Sequence, residues 1–112
     1  MIILDTNIVL DAFVFSDSAA RPLKQALDAG QLKWLATDAM RDELARVLAY
    51  PKIMVRLAFY KITASDVLDE FDRRVELVAV APKASVTCRD PDDQKFIDLA
   101  VAHQAWLFSK DK

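Results

Sequence analysis

The chain opens with Met1-Ile2-Ile3-Leu4-Asp5-Thr6-Asn7, an apolar run that stops at a carboxylate and is followed by two further polar side chains. A short, uninterrupted apolar run predicts a strand buried on both faces, as in a parallel sheet. Ligands of open α/β sheets bind at the carboxyl ends of the strands, so Asp5 lies where chemistry is expected. An Asp at this point can also simply cap the following helix, and taken alone it favours that interpretation.

Length and composition bound the class of protein. The chain has 112 residues, of which 54% are hydrophobic and 29% charged, and its formal net charge is −2. This is enough to bury a core as one domain over residues 1–112. No apolar run approaches the ~20 residues of a membrane span, no signal peptide is recognisable, and the single cysteine, Cys88, cannot form an internal disulfide. We therefore expect a cytoplasmic protein with no membrane attachment.

Short apolar runs alternate along the chain with longer helical periods. Beyond the first strand, strands are predicted at 32–36, 76–80 and 106–109. Helices are predicted at 8–14, from Pro22 to Gly30, and at 38–50, 52–60, from Thr63 onward and 91–104. This order, without a linker or repeat, predicts an α/β fold: a three-layer α/β/α domain with a central parallel sheet.

One acid of the third predicted helix turns inward. At 100° per residue Glu43 falls at the edge of the apolar face, whereas Asp42 points towards solvent. Burying an unpaired carboxylate is costly, so Glu43 is expected to have a partner. That partner is either a bound cation or the side chain of a neighbouring arginine such as Arg41 or Arg46.

Further acids lie near the last helix and the last strand. In Arg89-Asp90-Pro91-Asp92-Asp93, Asp90 is placed as an N-cap and Asp93 as the third residue of the same cap, so the helix dipole could explain both. Asp93 also shares the stripe that faces the sheet. Asp111 follows the strand at 106–109, which repeats the arrangement at Asp5.

Two strands thus end in acids, and two helices each turn one carboxylate inward. Such charges would repel strongly in a cleft unless divalent cations lay between them. Hard oxygen ligands select Mg²⁺ or Mn²⁺, and such a site suits phosphodiester hydrolysis.

These motifs together resemble the PIN-domain ribonucleases, and most closely the toxin components of bacterial toxin–antitoxin systems. The resemblance rests on Leu4-Asp5-Thr6-Asn7, Glu43-Leu44-Ala45-Arg46, Arg89-Asp90-Pro91-Asp92-Asp93 with Lys95-Phe96, and Ser109-Lys110-Asp111. It implies a Mg²⁺- or Mn²⁺-dependent enzyme that cuts single-stranded RNA, with a cognate antitoxin protein as partner and a homodimer as its assembly.

The resemblance also implies residue roles. Asp5, Glu43, Asp93 and Asp111 would be the catalytic, metal-binding acids, with Asp90 as an auxiliary ligand. Thr6 and Asn7 would orient Asp5 or a water on the metal, and Ser109 would be the small hydroxyl residue before the last acid. Relatives continue past that acid with a further helix, so this chain is expected to lack the usual C-terminal elements.

Candidates for RNA contact are the cations near the acidic cleft. Lys52 and Arg56 lie one turn apart, with Arg46 nearby, although an ordinary solvated helix face explains them equally well.

Trp34 and Trp106 lie in predicted strands, which favours the core over base stacking. The predicted fourth and fifth helices carry exposed apolar candidates, Met54, Leu57 and Phe59, as a surface for an antitoxin or a dimer.

Three other classes of protein share some of these features. A haloacid-dehalogenase-type phosphatase needs a second Asp two positions after the first, where this chain has Asn7. A phosphorelay receiver domain needs an Asp at the end of a central strand, but the run 76–80 ends in Ala81-Pro82. The remaining alternative is a catalytically impaired PIN scaffold that acts as a protein-binding module.

Overall fold

The computed structural model describes residues 1–15, 18–84 and 93–109. Its strands are β1 (Ile2–Leu4), β2 (Trp34–Ala36), β3 (Val75–Leu77) and β4 (Trp106–Phe108). They form one parallel sheet in the order β3-β2-β1-β4. The helices are α1 (Thr6–Phe13), α2 (Arg21–Asp28), α3 (Asp38–Leu48), α4 (Pro51–Tyr60), α5 (Ala64–Arg74) and α6 (Gln94–His103), and a 3₁₀ turn (Ser18–Ala20) precedes α2. The α/β class and the parallel sheet are confirmed.

Burial across the sheet follows the strand order. Every residue of β1 and β2, the two central strands, is buried. The edge strands β3 and β4 are half-buried or exposed. The opening apolar run therefore forms a central strand, as its lack of alternation indicates.

Trp34 is the centre of the core. It is 1% exposed, its ring stacks on Phe13 of α1 at 5.9 Å, and it meets Phe71 of α5 edge-on at 5.2 Å. The expectation that Trp106 is also buried is wrong, because Trp106 lies on the edge strand β4 and is 76% exposed. In the sheet, Trp106 pairs with Ile2 of β1, but this backbone pairing does not bury its side chain.

Local signals set most helix starts. Asp5 caps α1, Thr37 caps α3 by accepting a hydrogen bond from the Met40 N–H, and Thr63 and Asp66 form a capping box at the start of α5. These caps satisfy backbone N–H groups that have no partner in the first turn of a helix.

Several predicted boundaries shift by a few residues. The helix α6 is Gln94–His103, with Asp93 at its N-cap position and no side-chain capping hydrogen bond, and the predicted start at Pro91 lies outside the described residues. The strand β3 is Val75–Leu77, which begins earlier and ends earlier than predicted. Within the described ranges, every helix is too short and too polar to cross a lipid bilayer.

Candidate metal-binding active site

A polar cavity of about 300 Å³ opens at the carboxyl end of β1. The residues that line it come from the start of α1, from α3 and the residue-50 turn that follows it, and from the start of α6. They are Asp5, Thr6, Asn7, Glu43, Arg46, Val47, Tyr50, Asp93 and Lys95. Three of the four acids predicted as metal ligands are thus brought together by segments that are far apart in sequence.

Two hydrogen bonds hold the Asp5 carboxylate directly after the end of β1. Its Oδ1 accepts a hydrogen bond from the Ile8 backbone N–H at 2.9 Å, and its Oδ2 accepts one from the Ser109 hydroxyl at 2.7 Å. The residue is only 8% exposed. Asp5 is therefore both a helix cap and a cavity acid, and the two interpretations of the opening motif are compatible.

Glu43 is half-buried on α3 and has two partners. The Thr6 hydroxyl donates to its Oε2, and the Lys95 Nζ lies 2.5 Å from its Oε1. Of the arginines expected as its partners, Arg41 instead forms a two-pronged ion pair with Asp72 of α5. The inward placement of Glu43 is observed, but its partner comes from α6 rather than from its own helix.

Thr6 and Asn7 both line the cavity. The sequence predicts that Thr6 orients Asp5 or a water on the metal, but the Thr6 hydroxyl donates to Glu43, and the hydroxyl that donates to Asp5 belongs to Ser109. The two hydroxyl groups therefore each hold one acid. Asn7 is exposed beside them.

Asp93 lines the same cavity from the segment before α6. Asp90, Asp111 and Cys88 lie outside the described residues, so the predicted auxiliary ligand and the predicted fourth acid have no structural description here.

Among the predicted RNA-contacting cations, Arg46 lines the cavity and the other two do not. Lys52 is exposed on α4. The Arg56 guanidinium lies over the Phe15 ring, 4.5 Å from its centroid, and within 3.5 Å of the Tyr60 hydroxyl. Arg46 is therefore the predicted RNA-contacting cation that lies beside the cavity acids, whereas Lys52 and Arg56 lie outside the cavity on α4.

Two cavity residues were missed by the sequence analysis as functional groups. Lys95 was quoted within a motif, and its position two residues after Asp93 was the available signal. Tyr50 ends the turn after α3, one helical turn beyond Arg46, and is 53% exposed. Nothing in its local pattern distinguished it from an ordinary helix-ending residue.

The donor chemistry of the cavity fits a hard divalent cation. Asp5, Glu43 and Asp93 offer only oxygen ligands, the type that Mg²⁺ and Mn²⁺ prefer. In the described part of the chain no three ligand side chains stand close enough together to form a complete metal site. A cationic group, the Lys95 ammonium, already lies against Glu43, which shows that this carboxylate accepts a positive charge.

Comparison with known proteins agrees with this geometry. The sequence model of the PIN domain matches residues 1–112, the whole chain. Searches of curated proteins and of solved structures returned no match. The chain therefore belongs to the PIN domain family, whose members are typically metal-dependent nucleases.

Proposed function

We propose that this protein is a divalent-metal-dependent endoribonuclease that cleaves RNA phosphodiester bonds and serves as the toxin of a type II toxin–antitoxin pair. The observation that carries the proposal is the convergence of Asp5, Glu43 and Asp93 on one cavity of a PIN domain. Acids gathered in this way are costly for folding, and a hydrolytic metal site gives a reason for keeping them.

The three cavity acids would hold Mg²⁺ or Mn²⁺ through their carboxylate oxygens, with Asp111 and Asp90 proposed as further ligands. When bound, such an ion lowers the pKa of water and offsets negative charge at a phosphodiester. Every other contribution comes from the chain itself.

The hydroxyl groups of the site position its acids. Ser109 and the Ile8 backbone N–H hold both oxygens of Asp5, and Thr6 holds one oxygen of Glu43. Carboxylates locked by such hydrogen bonds do not have to reorganise when the substrate arrives. Asn7 adds an exposed amide at the same wall.

Two further lining residues, Arg46 and Tyr50, suit a single-stranded nucleic acid. The Arg46 guanidinium can bind a phosphate in a two-pronged manner, and the exposed ring of Tyr50 offers a stacking surface for an unpaired base. Bases inside a duplex cannot stack on such a ring. We therefore expect a preference for single-stranded RNA. Lys52 and Arg56 on α4 would contact phosphates farther along the strand.

A protein partner is expected on α4 and α5. Met54 and Phe59 are exposed, while Leu57 lies in the core at the floor of an apolar groove of about 360 Å³. Exposed apolar surface beside such a groove is typical of a protein interface. We propose this surface for the cognate antitoxin or for a homodimer, and the cytoplasm as the place where the protein acts.

A second candidate function has one observation in its favour. The Lys95 ammonium neutralises Glu43 without any metal, and a scaffold that binds only proteins would need no more than that. Under this alternative the cavity acids are structural, and the protein is a catalytically impaired PIN module.

A cleavage assay separates the two candidates. The purified protein is incubated with single-stranded RNA, the matching duplex and single-stranded DNA in Mg²⁺, Mn²⁺ or a chelator. We expect endonucleolytic cleavage of the single-stranded RNA with either metal, none with the chelator, and loss of cleavage in Glu43→Gln. Asp42→Asn is the matched control, because Asp42 is the exposed neighbour on the same helix. Metal-independent cleavage, or full activity of a folded Glu43→Gln, contradicts the proposal.

The toxin role needs a separate test in cells. Induced expression in a bacterium should arrest growth, Glu43→Gln should not, and co-expression of the protein encoded by the adjacent reading frame should restore growth. Unchanged growth on expression of an enzyme that cleaves RNA in vitro would leave a ribonuclease but exclude the toxin role.

A further inference from the structure

An ion pair joins two walls of the acidic cavity. The Lys95 Nζ in the first turn of α6 lies 2.5 Å from the Glu43 Oε1 on α3. The side chains of Lys95 and Glu43 are only 28% and 17% exposed. Attraction between charges withdrawn from water is stronger than on an open surface, so this contact differs from the exposed pair between Lys33 and Glu76.

The two oxygens of Glu43 are held by groups of different chemistry. Thr6 holds Oε2 with a hydroxyl, which can rotate and both donate and accept. Lys95 holds Oε1 with an ammonium, which only donates and carries a full charge. A divalent ion on Oε1 would place a second positive charge directly against the ammonium, so repulsion between the two cations favours displacement of Lys95, whereas the neutral Thr6 hydroxyl can stay.

The surroundings make this exchange reversible. Asp5, Asp93 and Arg46 line the same cavity, so if Lys95 left and nothing replaced it, Glu43 would share the cavity with two like charges and one positive charge. The Lys95 ammonium also lies 4.9 Å from the centroid of the Phe96 ring. Its four-carbon stem is flexible enough to move the charge away from Glu43.

We infer that Lys95 is a built-in counter-cation, which holds Glu43 in the metal-free protein and is exchanged for the divalent cation when the site is loaded. Lys95 is thus a positioning residue that sets the metal affinity of the site through Glu43. The inference rests on the proposed function only for the identity of the cation.

Titration of the full chain with Mn²⁺ tests the exchange directly. Lys95→Met keeps the length of the side chain and removes its charge. Because a hydrogen bond to a charged group is worth about 1.5–3 kcal/mol, we expect Lys95→Met to bind Mn²⁺ about tenfold or more tightly than the wild type. Isothermal titration calorimetry or the electron paramagnetic resonance signal of free Mn²⁺ measures it. The matched control is Lys33→Met, which breaks an exposed Lys–Glu pair away from the cavity and should leave the affinity unchanged.

Thermal unfolding adds a readout that a purely structural lysine would not alter. Without metal, Lys95→Met should melt below the wild type, because Glu43 is left among like charges. With saturating Mn²⁺ the difference should vanish or reverse. An equal loss of melting temperature with and without metal, or an Mn²⁺ affinity that is unchanged or weaker, overturns the inference.

The wild type alone provides a third test, which applies even if Lys95→Met does not fold. Acetylation of lysines by acetic anhydride is followed by mass spectrometry with and without Mn²⁺. Lys95 should react several times faster when Mn²⁺ is bound, whereas Lys33 should react at the same rate in both conditions. A Lys95 rate that does not change on saturation with Mn²⁺ contradicts the exchange.

Failure of this inference is distinguishable from failure of the proposed function. Metal-dependent RNA cleavage with no effect of Lys95→Met on Mn²⁺ affinity overturns the role of Lys95 alone. Tighter Mn²⁺ binding by Lys95→Met, without RNA cleavage by either protein, supports the exchange and contradicts the ribonuclease. Absence of Mn²⁺ binding by both proteins contradicts both proposals.

Discussion

At the scale of single residues, Asp5 serves the fold and the site with one carboxylate. One oxygen caps α1 through Ile8, and the other accepts from Ser109 at the end of β4. Both hydrogen bonds keep the negative charge at the cavity, where it is only 8% exposed. The capping role of Asp5 and its proposed metal-binding role should therefore be separable by substitutions that remove only one of them.

Asp5→Asn keeps the shape and the capping oxygen but removes the charge. Asn caps helices about as well as Asp, so the free energy of unfolding should change by less than about 1 kcal/mol. Cleavage of RNA should fall by about 100-fold or more, since even the hydrogen-bonding partners of a metal ligand are worth about 10- to 100-fold.

The contrast is Asp5→Ala, which also removes the cap and should lose about 1 kcal/mol more in stability. Kinetics of RNA cleavage and chemical denaturation measure the two properties. Full activity in a folded Asp5→Asn protein would remove Asp5 from the catalytic site.

At the scale of elements, α3 connects the core to the cavity. Leu44 and Leu48 are each 1% exposed, while Glu43 and Arg46 line the cavity from the same helix. The orientation of α3 therefore determines where Glu43 lies. On its remaining face Arg41 pairs with Asp72 of α5, which ties the two helices together at the surface.

The pair of Arg41 and Asp72 should make stability depend on pH. The hydrogen bond from Arg41 lowers the pKa of the Asp72 carboxyl from its ordinary value of 3.8. Because the folded-state pKa is below the unfolded value, the stabilisation is complete above pH 3.8 and is lost as the pH falls through the lowered pKa. The Asp72 side chain is 45% exposed, so the contribution should be less than about 1 kcal/mol.

Asp72→Asn should therefore be slightly less stable than the wild type at pH 7, and the difference should disappear in strong acid. Melting temperatures from neutral pH downward measure it. Asp69→Asn, at an exposed position of the same helix, is the control and should follow the wild type at every pH. A difference that grows in acid would contradict the assigned pair.

At the scale of the whole molecule, the net charge of −2 conceals a local concentration of acids. Asp5, Glu43 and Asp93 share one cavity with Lys95 and Arg46. Repulsion among the acids that Lys95 and Arg46 do not offset opposes folding until a divalent cation binds. The native state should therefore bind divalent metal and gain stability from it.

We expect about 2.7 kcal/mol of stabilisation when free Mn²⁺ exceeds its dissociation constant a hundredfold. For a domain of this size that corresponds to a rise in melting temperature of about 10 °C. Melts in Mg²⁺, in Mn²⁺ and in a chelator test the expectation, and Asp5→Asn should show a smaller rise. Identical melting temperatures in all three conditions would argue against a shared metal site.

The α/β class, the buried strand β1 and the helix starts next to Thr37 and Thr63 all follow from the local sequence. These features depend on apolar patterning and on hydrogen bonds between residues three apart, which any chain with this local sequence can form. The helical period likewise turned Glu43 inward and Asp42 outward. The predicted boundaries agree less closely, since β3 is Val75–Leu77 rather than 76–80.

Which distant residues come into contact depends on the tertiary structure. The order β3-β2-β1-β4 leaves Trp106 on an exposed edge, although its local sequence resembles that of the buried Trp34. The pairing of Lys95 with Glu43 joins residues 52 positions apart, and that of Ser109 with Asp5 joins residues 104 apart. Such contacts follow from how the strands and helices pack together. Local sequence patterns carry no information about contacts between residues so far apart in the chain. They reflect interactions that extend over about one helical turn.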